Sequence, residues 1–204
     1  MSGNKGKDLF EKHVPSTAVD YCYQLWLSFD FNLRITKKRN SKLGDYKFDP
    51  ATTQHSISVN HNLNKYSFLI TYIHEVAHLT TKEKYPRKVS PHGREWKNEF
   101  RKLMLPILND KIFPDGLLRA LASHMRNPKA SSTSDKLLYK ALMEYDENNG
   151  AILLAELEIG STFLFNKRIY KKLEKRRTRS LCVEMKSNKK YLVSETASVK
   201  PFKN

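Results

Sequence analysis

The seven residues Tyr72-Ile73-His74-Glu75-Val76-Ala77-His78 constrain this chain more than any other stretch. On an α-helix, histidines four positions apart stack on one face and aim both imidazoles at one point. Neutral imidazole nitrogen is a good ligand for Zn²⁺, and a catalytic zinc takes three protein ligands with a fourth position left to water. Glu75, one step round from His74, falls beside that open position, where a carboxylate accepts a proton from the attacking water and returns it to a leaving amine. Bound zinc lowers the pKa of water from about 15.7 to about 7 and polarises a scissile carbonyl. The spacing therefore predicts His74 and His78 as metal ligands and Glu75 as general base. Apolar residues at 66, 69, 70, 73, 76 and 77 recur near the helical period, which predicts the helix the motif requires. An amphipathic helix with no metal would bury two unpartnered histidines and a glutamate between them, a costly arrangement.

The third ligand has to come from another part of the chain. Leu79-Thr80-Thr81-Lys82-Glu83-Lys84 lacks the glycine and third histidine of the H-E-x-x-H-x-x-G-x-x-H pattern, which excludes the metzincin arrangement. Downstream, Ser90-Pro91-His92-Gly93 introduces a second amphipathic stretch with Trp96, Phe100, Leu103 and Met104 in register. Ser90 as N-cap and Pro91 at the first helical position predict a helix with His92 in its first turn. By spacing, Glu95 and Glu99 on that helix are open as third ligands alongside His92.

These features resemble the SprT-like zinc metallopeptidases, which include the eukaryotic Spartan proteases that degrade DNA–protein crosslinks. The matching residues are Leu43-Gly44-Asp45-Tyr46, the strand-like Ile57-Ser58-Val59-Asn60, the helix with His74-Glu75-Val76-Ala77-His78, and His92-Gly93 followed by Trp96-Lys97, covering roughly residues 15 to 108. The resemblance implies that His92 completes the ligand set with His74 and His78, that Glu75 is the base, and that proteins associated with DNA are the substrates.

The fold class expected is α+β: a compact zincin-like domain with trailing helices over residues 1–150, then a small antiparallel β domain over 151–204. A helix from Val14 to Phe31, strands at 33–36 and 46–48 joined across a basic loop, and a third strand at 55–60 precede the metal helix. His55 and His61 lie near the ends of that third strand. The segment from Thr80 to Pro91 reads as a loop joining the two ligand-bearing helices. Short helices follow at 103–108, 117–125 and 136–145, with Asn127 to Ser134 as a linker by composition. His124 has apolar neighbours and reads as a core histidine. Cys22 and Cys182 are the only cysteines, which leaves neither a disulfide framework nor a cysteine zinc site. No apolar run approaches the roughly 18 residues of a membrane span, and no signal-peptide core follows Met1, so a cytoplasmic protein is expected.

Beyond Gly150 the pattern changes to alternation, predicting four or five short antiparallel strands and a small barrel. The best-known SprT pattern has a four-cysteine zinc ribbon in this place, which one cysteine cannot build. The formal charge of the chain is +16. Residues 167 to 190 alone hold eleven Lys and Arg against Glu174 and Glu184, with Tyr170 and Tyr191 interleaved. Such a texture suits a groove that tracks a nucleic-acid backbone and stacks bases. Two classes of function follow: a zinc endopeptidase tethered near DNA, or a nucleic-acid-binding protein whose metal site is structural or vestigial. Glu75 separates them, because a structural zinc has no use for a base. Oligomeric state and cleavage specificity leave no mark on the sequence.

Overall fold

The computed structural model describes residues 3–39, 41–85, 89–146 and 150–202, and the chain is mixed α/β. It divides into two compact units, Met1–Asp146 and Glu147–Asn204. Among the described residues, no helix is long and apolar enough to cross a membrane.

The first unit is built on one long helix. Helices α1 (Gly3–His13) and α2 (Val19–Phe29) lead into strands β1 (Asn32–Thr36), β2 (Gly44–Asp49) and β3 (Gln54–Asn60), and then into α3 (Lys65–Lys84). Asn64 starts α3 by accepting the Ser67 N–H on its side chain at 2.9 Å. Phe68, Leu69, Ile70, Tyr72, Ile73, Val76, Ala77 and Leu79 are all buried, so α3 is covered nearly all round as the central element of the core. Its Tyr72 hydroxyl donates to the Cys22 carbonyl at 2.9 Å, and the ring meets Phe10 edge-on at 5.2 Å, tying α3 to α2 and α1.

The three strands form a sheet in the order β1-β3-β2, with β1 parallel and β2 antiparallel to β3. Strands 33–36 and 46–48 are thus not neighbours; β3, the most buried of the three, lies between them. Asn60 holds the intervening loop through its Nδ2, which donates to the carbonyls of Arg39 and Lys42 at 3.2 and 2.9 Å. This leaves β2 on a sheet edge.

Helices α4 (Arg94–Met104), α5 (Asp115–Arg126) and α6 (Lys136–Met143) complete the unit. Two boundaries differ from the sequence reading. Helix α3 continues through Thr80 and Thr81, whose hydroxyls donate back to the Ala77 carbonyl, so the expected loop from 80 begins only after Lys84, and part of it, 86–88, lies outside the described residues. Helix α4 starts at Arg94 rather than Pro91, because Ser90 to Gly93 closes a turn with the Gly93 N–H on the Ser90 carbonyl at 3.0 Å. The stretch 127–134 is anchored at its head: Arg101 on α4 donates to the carbonyls of Met125 and Arg126, and Lys97 to Asn127 Oδ1.

The second unit is a six-stranded antiparallel sheet in the order β4-β9-β5-β6-β7-β8. Its strands are β4 (Ile152–Leu153), β5 (Thr162–Phe165), β6 (Arg168–Lys175), β7 (Arg179–Glu184), β8 (Lys190–Ser194) and β9 (Ser198–Pro201). The ladder has two ends, β4 and β8, instead of closing as a barrel, although the Ala155 N–H reaches the Glu195 carbonyl just past β8 at 3.0 Å. Leu154, Phe163, Tyr170, Cys182, Val193 and Val199 make its core. Both cysteines are free and buried; burial pushes the Cys22 thiol far up and that of Cys182 to about 11.

Candidate metal centre

His74 and His78 stand one turn apart on α3, and the turn ahead of α4 swings His92 against them. The three Nε2 atoms form a nearly equilateral triangle: 3.2 Å from His74 to His78, 3.1 Å from His78 to His92 and 3.2 Å from His92 to His74. Each neutral ring has a single N–H, so a hydrogen bond between two members leaves the third facing a lone pair. Burial, with the neighbouring rings, lowers the basicity of His74 strongly, and the same causes bring His78 down to about 4; burial and Lys97 lower His92. All three therefore present unprotonated nitrogen at neutral pH. Among the described residues this is the one such group that could hold a metal ion.

Trp96 forms the floor of the site. Fully buried on the first turn of α4, it has ring centroids 4.5 Å from His74, 5.4 Å from His78 and 4.8 Å from His92, and it stacks on Phe100 at 5.0 Å. One indole thus fixes the packing of all three imidazoles. Tyr46 of β2 covers another side, its ring nearly parallel to His78 at 6.2 Å and its hydroxyl bonded to His55 Nδ1 at 2.8 Å. His55 is therefore a neighbour of the site at one remove, and His61 is exposed in the turn after β3; neither joins the histidine group.

Glu75 is buried on the same helix and faces the Gly44 backbone and the Tyr46 backbone N–H of the β2 edge. Burial and the Asp45 carboxylate push it up to about 8, against the pull of Arg39 and Lys42. A cation among the histidines would act in the opposite direction. Glu99, open as a ligand by spacing, instead accepts from Lys84 at 2.5 Å and Lys102 at 3.0 Å. Glu95 lies beside Gly93 and outside the histidine group.

A cleft of about 480 Å³ opens over the centre, bounded by Ser41–Tyr46, by His74, Glu75, His78 and His92, and by His124 with Ala130–Ser132. The sequence reading missed this last wall. His124 is buried, as a core histidine would be, but its Nδ1 is 3.0 Å from Asp135 Oδ2 and the ring lines the cleft. An aspartate eleven residues on, at the N-cap of α6, was the available signal.

In the second unit, ten of the eleven cations between 167 and 190 are exposed. Lys172 is the exception. It is buried, donates to the carbonyls of Leu154 and Leu157 at 2.8 and 2.9 Å, and lies 3.6 Å from the buried carboxylate of Glu195. Tyr170 is also buried, stacked on Phe163 at 5.7 Å, so the expected pair of exposed stacking rings is reduced to Tyr191.

No protein-family model, curated protein or solved structure matches the chain.

Proposed function

We propose that this protein is a zinc metallopeptidase of the SprT-like, zincin type. The observation that carries the reading is the triangle of three unprotonated Nε2 atoms with the buried Glu75 beside it. Tetrahedral zinc with Zn–N of about 2.0–2.1 Å requires ligand nitrogens about 3.3–3.4 Å apart, close to the triangle found here. Structural zinc sites are closed by four protein ligands, whereas this group supplies three and opens onto a cleft, which favours catalysis over a structural role. When bound, zinc would supply Lewis acidity toward a carbonyl and make water available as a nucleophile near neutral pH.

The remaining chemistry belongs to the chain. Glu75 takes the proton from the attacking water on its carboxylate and passes it to the departing amine. Its burial against Gly44 restricts the carboxylate to one position, and the Tyr46 N–H orients it. Trp96 packs against all three imidazoles and Tyr46 against that of His78, which holds the ring planes. The edge strand β2 and the wall at 130–132 confine an extended chain between them.

The exposed cations of the second unit support a second element of the proposal, that this unit binds the phosphate backbone of DNA and brings the peptidase to proteins held there. With Tyr170 buried, phosphate contact outweighs base stacking, and binding is expected to be indifferent to sequence. The direct test of the peptidase reading is metal dependence. The full chain should cleave an unfolded protein with about one zinc bound per chain, lose cleavage on chelation and regain it with zinc. Zinc-replete protein that cleaves neither unfolded nor DNA-crosslinked proteins would overturn it.

A further inference from the structure

The outward face of the sheet in the second unit is not the polar face its topology calls for. An antiparallel sheet with one buried face ordinarily turns polar residues to water. Phe163, Tyr170, Cys182 and Val193 mark the buried face, so the residues alternating with them point outward. Those outward positions carry Leu164 opposite Ile169, Leu181 opposite Leu192, and Val183, while Met185 follows β7 with its N–H on the Ile169 carbonyl. Leu164 is 37% exposed, Leu192 46% and Met185 47%, so these side chains are left to solvent. Strand propensity accounts for the branched Ile169 and Val183, but not for leucine and methionine.

Three lysines stand among these aliphatic side chains. Lys171 and Lys190 flank Val183 on the two neighbouring strands, and Lys200 of β9 is opposite Leu164. None of the three forms an ion pair among the described residues. With strands about 4.8 Å apart, the backbones at Lys171 and Lys190 are separated by about 10 Å. Seven residues of α-helix rise about 10.5 Å. The four rings of β5 to β8, Phe163, Phe165, Tyr170 and Tyr191, meet one another on the opposite face. Bases therefore find no stacking platform among the leucines, and a lipid interface finds no aromatic anchor. Phosphate contact would use the lysines but not the aliphatic side chains between them. A second copy of this chain would set one lysine-bearing face against another.

We propose that this face docks an acidic amphipathic helix of a partner protein, with carboxylates seven residues apart on Lys171 and Lys190 and leucines between them on Val183, Leu181 and Leu192. The apolar area supplies affinity, and the lysines set register. The assignment is independent of the peptidase reading, because it draws only on the second unit.

The experiment uses the full chain and a labelled helical peptide that repeats Glu-Ala-Gln-Leu-Leu-Gln-Ala three times, with binding followed by anisotropy. Because the chain has a formal charge of +16, the control is the same peptide with glutamine in place of every leucine. Wild type should bind the first peptide at least about tenfold more tightly than the control. Leu181→Thr with Leu192→Thr, outward changes that keep strand propensity, should weaken it by about tenfold and leave binding of the control and of single-stranded DNA unchanged. Lys171→Glu with Lys190→Glu should weaken it more than Arg119→Glu with Lys136→Glu, exposed positions of the first unit whose reversal alters net charge equally. Urea midpoints show whether each variant is folded, and should one pair fail to fold, the other carries the test. Failure of wild type to prefer the leucine peptide, or an affinity for it that neither pair lowers, overturns the assignment. Equal losses of peptide and DNA binding in the leucine pair would make this face part of a nucleic-acid surface and overturn it too. So would binding to vesicles of equal phosphatidylserine and phosphatidylcholine without binding to the peptide.

Discussion

Gly44 lies directly against Glu75: a methyl group on the Gly44 Cα would stand 2.4 Å from Glu75 Oε1 and 2.8 Å from its Cγ. Thr71 Cγ2 would be 2.7 Å away, so an added methyl group would meet two side chains of α3 at once. The glycine is demanded by close approach of the edge strand to the proposed base. Gly44→Ala should therefore displace Glu75 while leaving the three histidines in place. We predict a loss of about 10²-fold in kcat, the cost of roughly an ångström of misplacement, with zinc content unchanged. Kinetics and metal analysis on the same preparation check it.

The ligand set can be separated from its competitors. His92→Ala should empty the site, whereas Glu95→Ala and Glu99→Ala should keep about one zinc per chain. Full occupancy in His92→Ala would contradict the geometry of the triangle.

Glu99 has a structural consequence instead. Burial opposes its charge, but Lys84 and Lys102 hold its carboxyl below the ordinary 4.5. A carboxylate whose folded pKa is depressed stabilises the fold above the unfolded value, and that contribution disappears as pH falls through the folded one. The urea midpoint of Glu99→Gln should thus be lower than wild type at pH 6 to 7, and the gap should close as pH drops below about 4.5. A gap that stays constant to low pH would show that the ion pairs contribute nothing.

The exposed and the buried cations of the second unit should behave oppositely. Replacing the exposed Arg177, Arg179 and Lys189 with alanine should leave folding intact and flatten the salt dependence of DNA binding by about one unit of log–log slope for each phosphate no longer neutralised. Lys172→Ala should instead strand the buried Glu195, whose Oε2 already lacks a partner among the described residues, and destabilise the fold by about 3–5 kcal/mol. Salt titration against duplex and single-stranded DNA, together with urea unfolding, distinguishes them.

What the sequence made legible follows the range of the interactions. The four-residue step of His74 and His78 is local, and the helix carrying it is present with its N-cap. His92 could be singled out from Glu95 and Glu99 only through family resemblance, because its position depends on the Ser90–Gly93 turn and on Trp96. Helix α1 leaves little trace in the sequence; its first turn is polar, and Phe10 gains meaning only against Tyr72 and Trp26. Placing β3 between β1 and β2 is a tertiary choice that alternation does not encode. Lys172 and Tyr170 looked like surface residues because period-two patterns mark faces without saying which faces inward. The pairing of His124 with Asp135 needed two helices to be brought together.

The most direct test of the central claim is the Glu75→Gln comparison on zinc-loaded full-length protein. The amide keeps the shape of the side chain but cannot take the proton of the attacking water. The account predicts about one zinc per chain in both proteins and peptidase activity at least about 10²-fold lower in the variant. Equal cleavage by both proteins at equal zinc occupancy would contradict it.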